Sequence, residues 1–173
     1  MKKLTNLRLI LLVFLTTLIG CSNDDSSNNL NDEFLTAQVD GAEWNVKKAE
    51  GVISCKKILT SRGVVNLVIK ATAVNGDYME MYIDNYVGKH SYAFGDNILN
   101  FNKMRFRQND NGSSWDVINN PSRDIIINRL EISDDDGLYL KGSFNFEGIN
   151  MLDMSTKSFQ NGSFNFRVRS ENE

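Results

Sequence analysis

The chain has 173 residues, 41% of them apolar, 10% aromatic and 24% charged, with 19 basic side chains, 22 acidic and one histidine. That is apolar material for one buried core, while a net charge of −3 argues against nucleic acid, which rewards basic surfaces. One histidine and two cysteines leave too few ligands to expect a zinc site.

Residues 1–8 carry Lys2, Lys3 and Arg8 without an acid, and residues 9–19 run Leu-Ile-Leu-Leu-Val-Phe-Leu-Thr-Thr-Leu-Ile. This apolar run is shorter than the roughly 20 residues a spanning helix needs, so residues 1–20 read as a signal peptide. It ends in Leu18-Ile19-Gly20-Cys21, which resembles the lipobox of bacterial lipoproteins. That resemblance implies that Cys21 becomes the first residue of the mature protein. A thiolate is a strong nucleophile, so its sulfur would take a diacylglyceryl group as a thioether, and an amide-linked acyl chain usually follows. At about 0.8 kcal/mol per buried methylene, two or more chains anchor stably. The expected location is therefore the bacterial cell envelope, at the outer membrane, with the periplasmic and cell-surface faces both open.

Without residues 1–20 the chain keeps 16 basic against 22 acidic residues, a net charge of −6. Residues 21–33 are predicted to be a disordered tether: Ser22 to Asp32 holds a single apolar residue and cannot bury a core. Asp24 and Asp25 resemble the acidic export signal of surface lipoproteins in Bacteroidota, though acids also simply keep a linker solvated. With Cys21 lipidated, Cys55 has no disulfide partner and reads as a small buried apolar residue.

A single β domain is predicted over 34–170. Phe34 to Val39 is a strand, Asp40-Gly41 a hairpin turn, and Trp44 sits on the return strand. A third strand is expected near Val52–Cys55 and a fourth near Ile58. Val65, Leu67, Ile69, Ala71 and Ala73 alternate with other residues as on a half-buried strand. Asn75-Gly76 then turns the chain into Tyr78–Ile83, with Met79, Met81 and Ile83 on one face. Ser91–Phe94 is a short strand. From Leu99 to Arg107 the alternation is mixed, which suggests a bulge near Asn102. Ser114–Val117 and a strand from about Ile125 to Ile132 follow, with Pro121 in the loop between. Asp134-Asp135-Asp136-Gly137 reads as a solvated hairpin turn.

Gly-Ser-Phe-Asn-Phe occurs at 142–146 and again at 162–166. Residues two apart share a face of a strand, so Phe144, Phe146, Phe164 and Phe166 are predicted core residues. The chain shows no sustained helical period after Cys21. The expected fold is all-β, an antiparallel β-sandwich or closed β-barrel of about eight to ten short strands.

Phe34-x-x-Ala37-x-Val39-Asp40-Gly41-x-x-Trp44, Gly142-x-Phe144-x-Phe146 and Asn161-Gly162-x-Phe164 together resemble an uncharacterised lipoprotein family common in Bacteroidota, over about residues 34–169. The chain departs from that pattern at Ser122-Arg123-Asp124, where a glycine is expected. The resemblance implies location and fold and carries no catalytic residues.

No catalytic residue is assigned. His90 has no second histidine for a metal site and reads as an exposed loop residue; no Gly-x-Ser-x-Gly elbow accompanies Ser91. Neither Asp134–Asp136 nor Asn109-Asp110-Asn111-Gly112 has EF-hand spacing, so no metal or cofactor is expected. Tyr78, Tyr82, Tyr86, Tyr92 and Trp115 would stack on sugar rings if exposed together, and otherwise fill the core and sheet surface. The functional expectation is a lipid-anchored, non-enzymatic domain that binds a small ligand, a glycan or an envelope partner. The alternatives are a structural subunit of an envelope assembly or a hydrolase using a carboxylate pair.

Overall fold

A computed structural model describes residues 33–96, 98–109, 112–118 and 128–172, with side chains through Arg169. The signal segment, Cys21, the tether as far as Asp32, Pro121 and Ile125–Ile127 lie outside the described residues; the carbonyl of Glu33, expected in the tether, instead accepts the Lys48 N–H at 2.9 Å. Among those described there is no helix. The strands are β1 (Phe34–Val39), β2 (Ala42–Lys47), β3 (Val52–Leu59), β4 (Val65–Thr72), β5 (Tyr78–Ile83), β6 (Ser91–Ala93), β7 (Lys103–Arg107), β8 (Ser114–Asp116), β9 (Arg129–Asp135), β10 (Tyr139–Ile149) and β11 (Thr156–Asn172). The segments near Val52 and Ile58 are one strand, β3, rather than two.

All eleven strands belong to one sheet, ordered β2-β1-β11-β3-β4-β5-β7-β8-β10-β9-β6, and a β10–β11 pairing closes the circuit from β11 through β3, β4, β5, β7, β8 and β10. Hydrogen bonding thus follows the closed-barrel alternative. The β8–β10 seam is a single bridge, Ile149 opposite Asp116. Every pairing is antiparallel except β11 with β3, which run parallel from Val168 opposite Cys55 to Asn172 opposite Leu59. The expectation of a wholly antiparallel sheet fails there because no tight turn joins these two strands, so nothing local dictates their relative direction.

β11 is the longest strand, 17 residues. One edge pairs with β10, and the other pairs first with β1 and then with β3. Its register with both β10 and β1 slips at Gln160–Asn161. Asn161 is left-handed, with φ 51°, and its N–H donates to Asn145 Oδ1 at 2.9 Å. A bulge of this kind adds twist, which lets one long strand bend around the wall.

The repeated pentapeptides pair with each other. Gly142 faces Phe164, Ser143 faces Ser163 and Phe144 faces Gly162. Each phenyl ring lies over the glycine of the other copy: a Cβ on Gly162 would meet Phe144 ring atoms at 2.5 Å, and one on Gly142 would meet Phe164 Cζ at 2.5 Å. The missing side chain is therefore the space the opposite ring occupies. Phe144, Phe146, Phe164 and Phe166 are all buried. Phe146 stacks on Phe159 with centroids 4.0 Å apart, Phe159 touches Phe106, and Phe106 meets Trp44 edge-to-face and lies tilted against Trp115.

Alternation sets the rest of the interior. Leu67, Ile69 and Ala71 of β4 and Met79, Met81 and Ile83 of β5 point inward, as do Met104 and Phe106 of β7. At about 1.5–3 kcal/mol per large apolar side chain, this interior is the main stabilising term. Cys55 is buried among these residues.

Candidate functional site

The outer faces of β4, β5, β7 and β8 carry a row of alternating charge. Register places Lys70 opposite Glu80, Glu80 opposite Arg105, and Arg105 opposite Asp116. Lys70 Nζ lies 3.1 Å from Glu80 Oε1, and Arg105 Nε donates to Asp116 Oδ1. Such partly exposed pairs contribute at most about 1 kcal/mol each to stability. Their main consequence is local: the row neutralises itself.

One row further along, Tyr82 of β5 stands opposite Lys103 of β7. The Tyr82 hydroxyl accepts a hydrogen bond from Asn66 Nδ2 at 2.8 Å. Beyond Lys103 the strand stops. Asn100 Nδ2 and Asn102 Nδ2 both donate to the Ala93 carbonyl at 2.9 Å, and Asn102 Oδ1 accepts the Asp84 N–H at 2.9 Å. Two side-chain amides thus replace ladder bonds between this segment and β6. That explains the mixed pattern: the expected bulge near Asn102 is absent, and residues before Lys103 form a loop pinned by asparagines.

The pinned loop turns its apolar residues outward. Ile98 is 76% exposed and Phe101 60%. Together with Arg62 of the β3–β4 turn and the outward residues of β5, β7 and β8, they line an open groove of about 910 Å³. Its charged lining is Arg62, Lys103 and Arg105 against Glu80, Asp84 and Asp116. The size lies within the range of small-molecule sites, and the mixture of apolar and polar groups is typical of them.

A second polar cluster sits at the barrel end where β9 turns into β10. Lys57 Nζ donates to both oxygens of Asp135 at 2.8 and 2.9 Å, the Tyr86 hydroxyl donates at 2.7 Å, and the Gly137 N–H at 3.1 Å. Burial alone would raise the Asp135 pKa, but the bonds from Lys57, Tyr86 and Gly137 hold it below the usual carboxylate range. Burial, then the bond to Asp135, pushes the Tyr86 hydroxyl up. Tyr86 stacks on Tyr92 with centroids 5.7 Å apart, and the Tyr92 hydroxyl accepts the Val87 N–H and donates to the Gly88 carbonyl. The cluster clasps β3, β9 and the 84–90 loop together.

These contacts correct the reading of Asp134–Asp136 as a merely solvated turn. Asp134 pairs with Lys89 at 2.9 Å, Asp135 sits in the clasp, and Asp136 accepts the N–H groups of Leu138 and Tyr139. Neighbouring acids point in different directions on an extended chain, so each found its own partner. Among the described residues no three His, Cys, Asp or Glu side chains converge on a metal position.

The remaining candidates separate by burial. Cys55 is enclosed, and burial pushes its thiol up to about 12, which keeps it an unreactive thiol at neutral pH. His90 is exposed, its ring 5.3 Å from that of Tyr92, and its carbonyl accepts the Ile132 N–H. The five aromatic candidates form no common outer strip. Tyr86, Tyr92 and Trp115 are buried, and only Tyr78 and Tyr82 lie on the outer side of β5. Of the groove's aromatic residues, Tyr82 belongs to the set considered from sequence, whereas Phe101 had no separate signal.

Comparison with protein-family models, with curated proteins and with solved structures finds no match to this chain.

Proposed function

We propose that the protein is a lipid-anchored component of the bacterial cell envelope, of the lipoprotein type its motifs resemble, and that its barrel is a non-enzymatic glycan-binding module. Attachment rests on the lipobox-like Leu18-Ile19-Gly20-Cys21. The observation that carries the binding reading is the groove, where exposed Phe101 stands among Asn, Arg, Lys, Glu and Asp side chains.

A pyranose ring has an apolar face and an equatorial belt of hydroxyls. The face packs on an aromatic ring, and the belt hydrogen-bonds to carboxylates, amides and guanidinium groups, with charge assistance. Three cations face three carboxylates in the lining, and Lys70 just outside it pairs with Glu80; charge so nearly balanced suits hydroxyls and disfavours a dense phosphate polymer. A lipophilic ligand would be better served by the interior, and there the aromatic side chains pack on one another. Hydrolysis by a carboxylate pair is the weaker reading, because Glu80 and Asp116 already bind cations.

The test is calorimetric titration with a panel of neutral and acidic oligosaccharides. Stacking on one ring is worth about 0.5–1.5 kcal/mol, so Phe101→Ala should weaken binding roughly threefold to tenfold. Leu152→Ala, at a residue 93% exposed on the β10–β11 turn, should leave it unchanged. A panel without a single binder, or equal loss in both variants, would refute the reading.

A further inference from the structure

The groove's floor and its end differ in charge. Along the floor, Glu80 is compensated by Lys70 and Asp116 by Arg105. At the other end Lys103 stands opposite Tyr82, and the Tyr82 hydroxyl lies between Asp84 and Asn66, the latter near the start of β4 just after the Arg62 turn. Arg62 and Phe101 are the remaining large groups of this end's lining. Among the described residues, neither Arg62 nor Lys103 enters an ion pair. Asp84 receives the Tyr82 hydroxyl at 3.4 Å, and its own N–H is bonded to Asn102. This end therefore carries two cations against one carboxylate, a surplus of one positive charge, on a chain whose net charge is negative.

We infer that the glycan bound in this groove is acidic, and that Arg62 and Lys103 receive one carboxylate of a uronic-acid residue whose ring packs on Phe101. The inference rests on the glycan-binding reading and narrows it to a substrate class. Arg62 presents a planar fork of donors that matches a carboxylate, and Lys103 adds a point charge from the first residue of β7. Both side chains come from backbone that is itself fixed. The Arg62 turn is closed by the Gly63 N–H bond to the Thr60 carbonyl and by Thr60 Oγ1 to the Val64 carbonyl. Lys103 is set by its pairing with Tyr82. A surplus of one charge fits one carboxylate per bound segment rather than a dense polyanion, which the Glu80, Asp84 and Asp116 carboxylates would repel.

The experiment uses the purified full chain and paired probes at 0.15 M salt: oligomers of galacturonate, glucuronate and mannuronate, each beside its carboxyl-reduced neutral counterpart. The expected result is at least tenfold tighter binding of one acidic form over its reduced partner. In Arg62→Met/Lys103→Met, which keeps the apolar stems, that preference should vanish, the acidic form and its reduced partner then binding within twofold of each other. Equal binding of acidic and reduced forms to the parent would overturn the inference and leave glycan binding intact. Binding of neither form would overturn both. An acidic preference that survives the double substitution would refute the assignment to Arg62 and Lys103.

Discussion

The reciprocal packing of Gly142-Ser-Phe-Asn-Phe146 and Gly162-Ser-Phe-Asn-Phe166 makes a quantitative claim about Gly162. In Gly162→Ala the new methyl would lie 2.5–2.6 Å from three ring atoms of Phe144, against an ordinary contact of about 3.5–4.0 Å. The ring would have to retreat by about 1 Å. Phe144 is 1% exposed and rests against Phe146 at 6.2 Å, so retreat means displacing the core, at about 1–3 kcal/mol. Replacing glycine returns about 0.4–1 kcal/mol by restricting the unfolded chain. The net expectation is destabilisation by about 1–2 kcal/mol, or a Tm lower by roughly 3–8 °C for a domain of this size. Phe144→Ala alone should cost about 3–5 kcal/mol. In the double variant the methyl enters space the ring has left, so its cost should fall short of the sum by about 1–2 kcal/mol. Urea melts of the four proteins measure that coupling. Additivity within about 0.3 kcal/mol would show that ring and glycine do not share the space.

Three further outcomes follow from single sites. Trp44 is 8% exposed and meets Phe106 edge-on at 5.7 Å, so Trp44→Ala should cost about 3–5 kcal/mol in chemical denaturation; its Nε1 is buried without a partner, so Trp44→Phe should cost much less. Asp135 has a lower pKa folded than unfolded, where carboxylates titrate near 3.9, so the clasp's contribution should be complete above about pH 5 and disappear as pH falls through the folded value. Thermal melts from pH 2 to pH 7 should show Asp135→Asn less stable than the parent at neutral pH and the gap closing in acid; a gap independent of pH would refute the clasp. Cys21→Ser should abolish incorporation of a labelled fatty acid in cells, and continued labelling would remove Cys21 as the lipid site.

What sequence could show followed the range of the interactions. β5 was legible to the residue because Tyr78–Ile83 alternates without exception. The four phenylalanines were legible for the same reason, while the burial of Cys55 was legible from its lack of a disulfide partner. The self-pairing of the two pentapeptides was not, since identical strands can sit apart in a sheet as well as side by side. The parallel β3–β11 pair joins residues more than a hundred positions apart, and no local pattern encodes it. Asn161-Gly162 reads as a turn dipeptide in isolation, yet here it bends a continuous strand. Asp135 looked like its neighbours Asp134 and Asp136; only Lys57 and Tyr86, brought from β3 and the 84–90 loop, distinguish it.

The groove was the least legible feature. Its charged row is assembled from four strands, one residue from each, at spacings set by the lengths of the intervening hairpins. Phe101 looked like part of a strand because it shares alternation with Lys103 and Arg105. Its exposure depends on Asn100 and Asn102 capturing the Ala93 carbonyl, a choice between side-chain and ladder bonding that sequence pattern leaves open.

The groove as binding surface is tested most directly by amide NMR of the labelled protein during titration with the tightest oligosaccharide from the panel. The account expects saturable shifts confined to Arg62–Gly63, Glu80–Asp84, Ile98–Arg105 and Asp116–Ile118, with the exposed turn Met151–Met154 silent. Saturable shifts centred on that turn or on the Lys57–Asp135–Tyr86 clasp, with the groove unmoved, would contradict it.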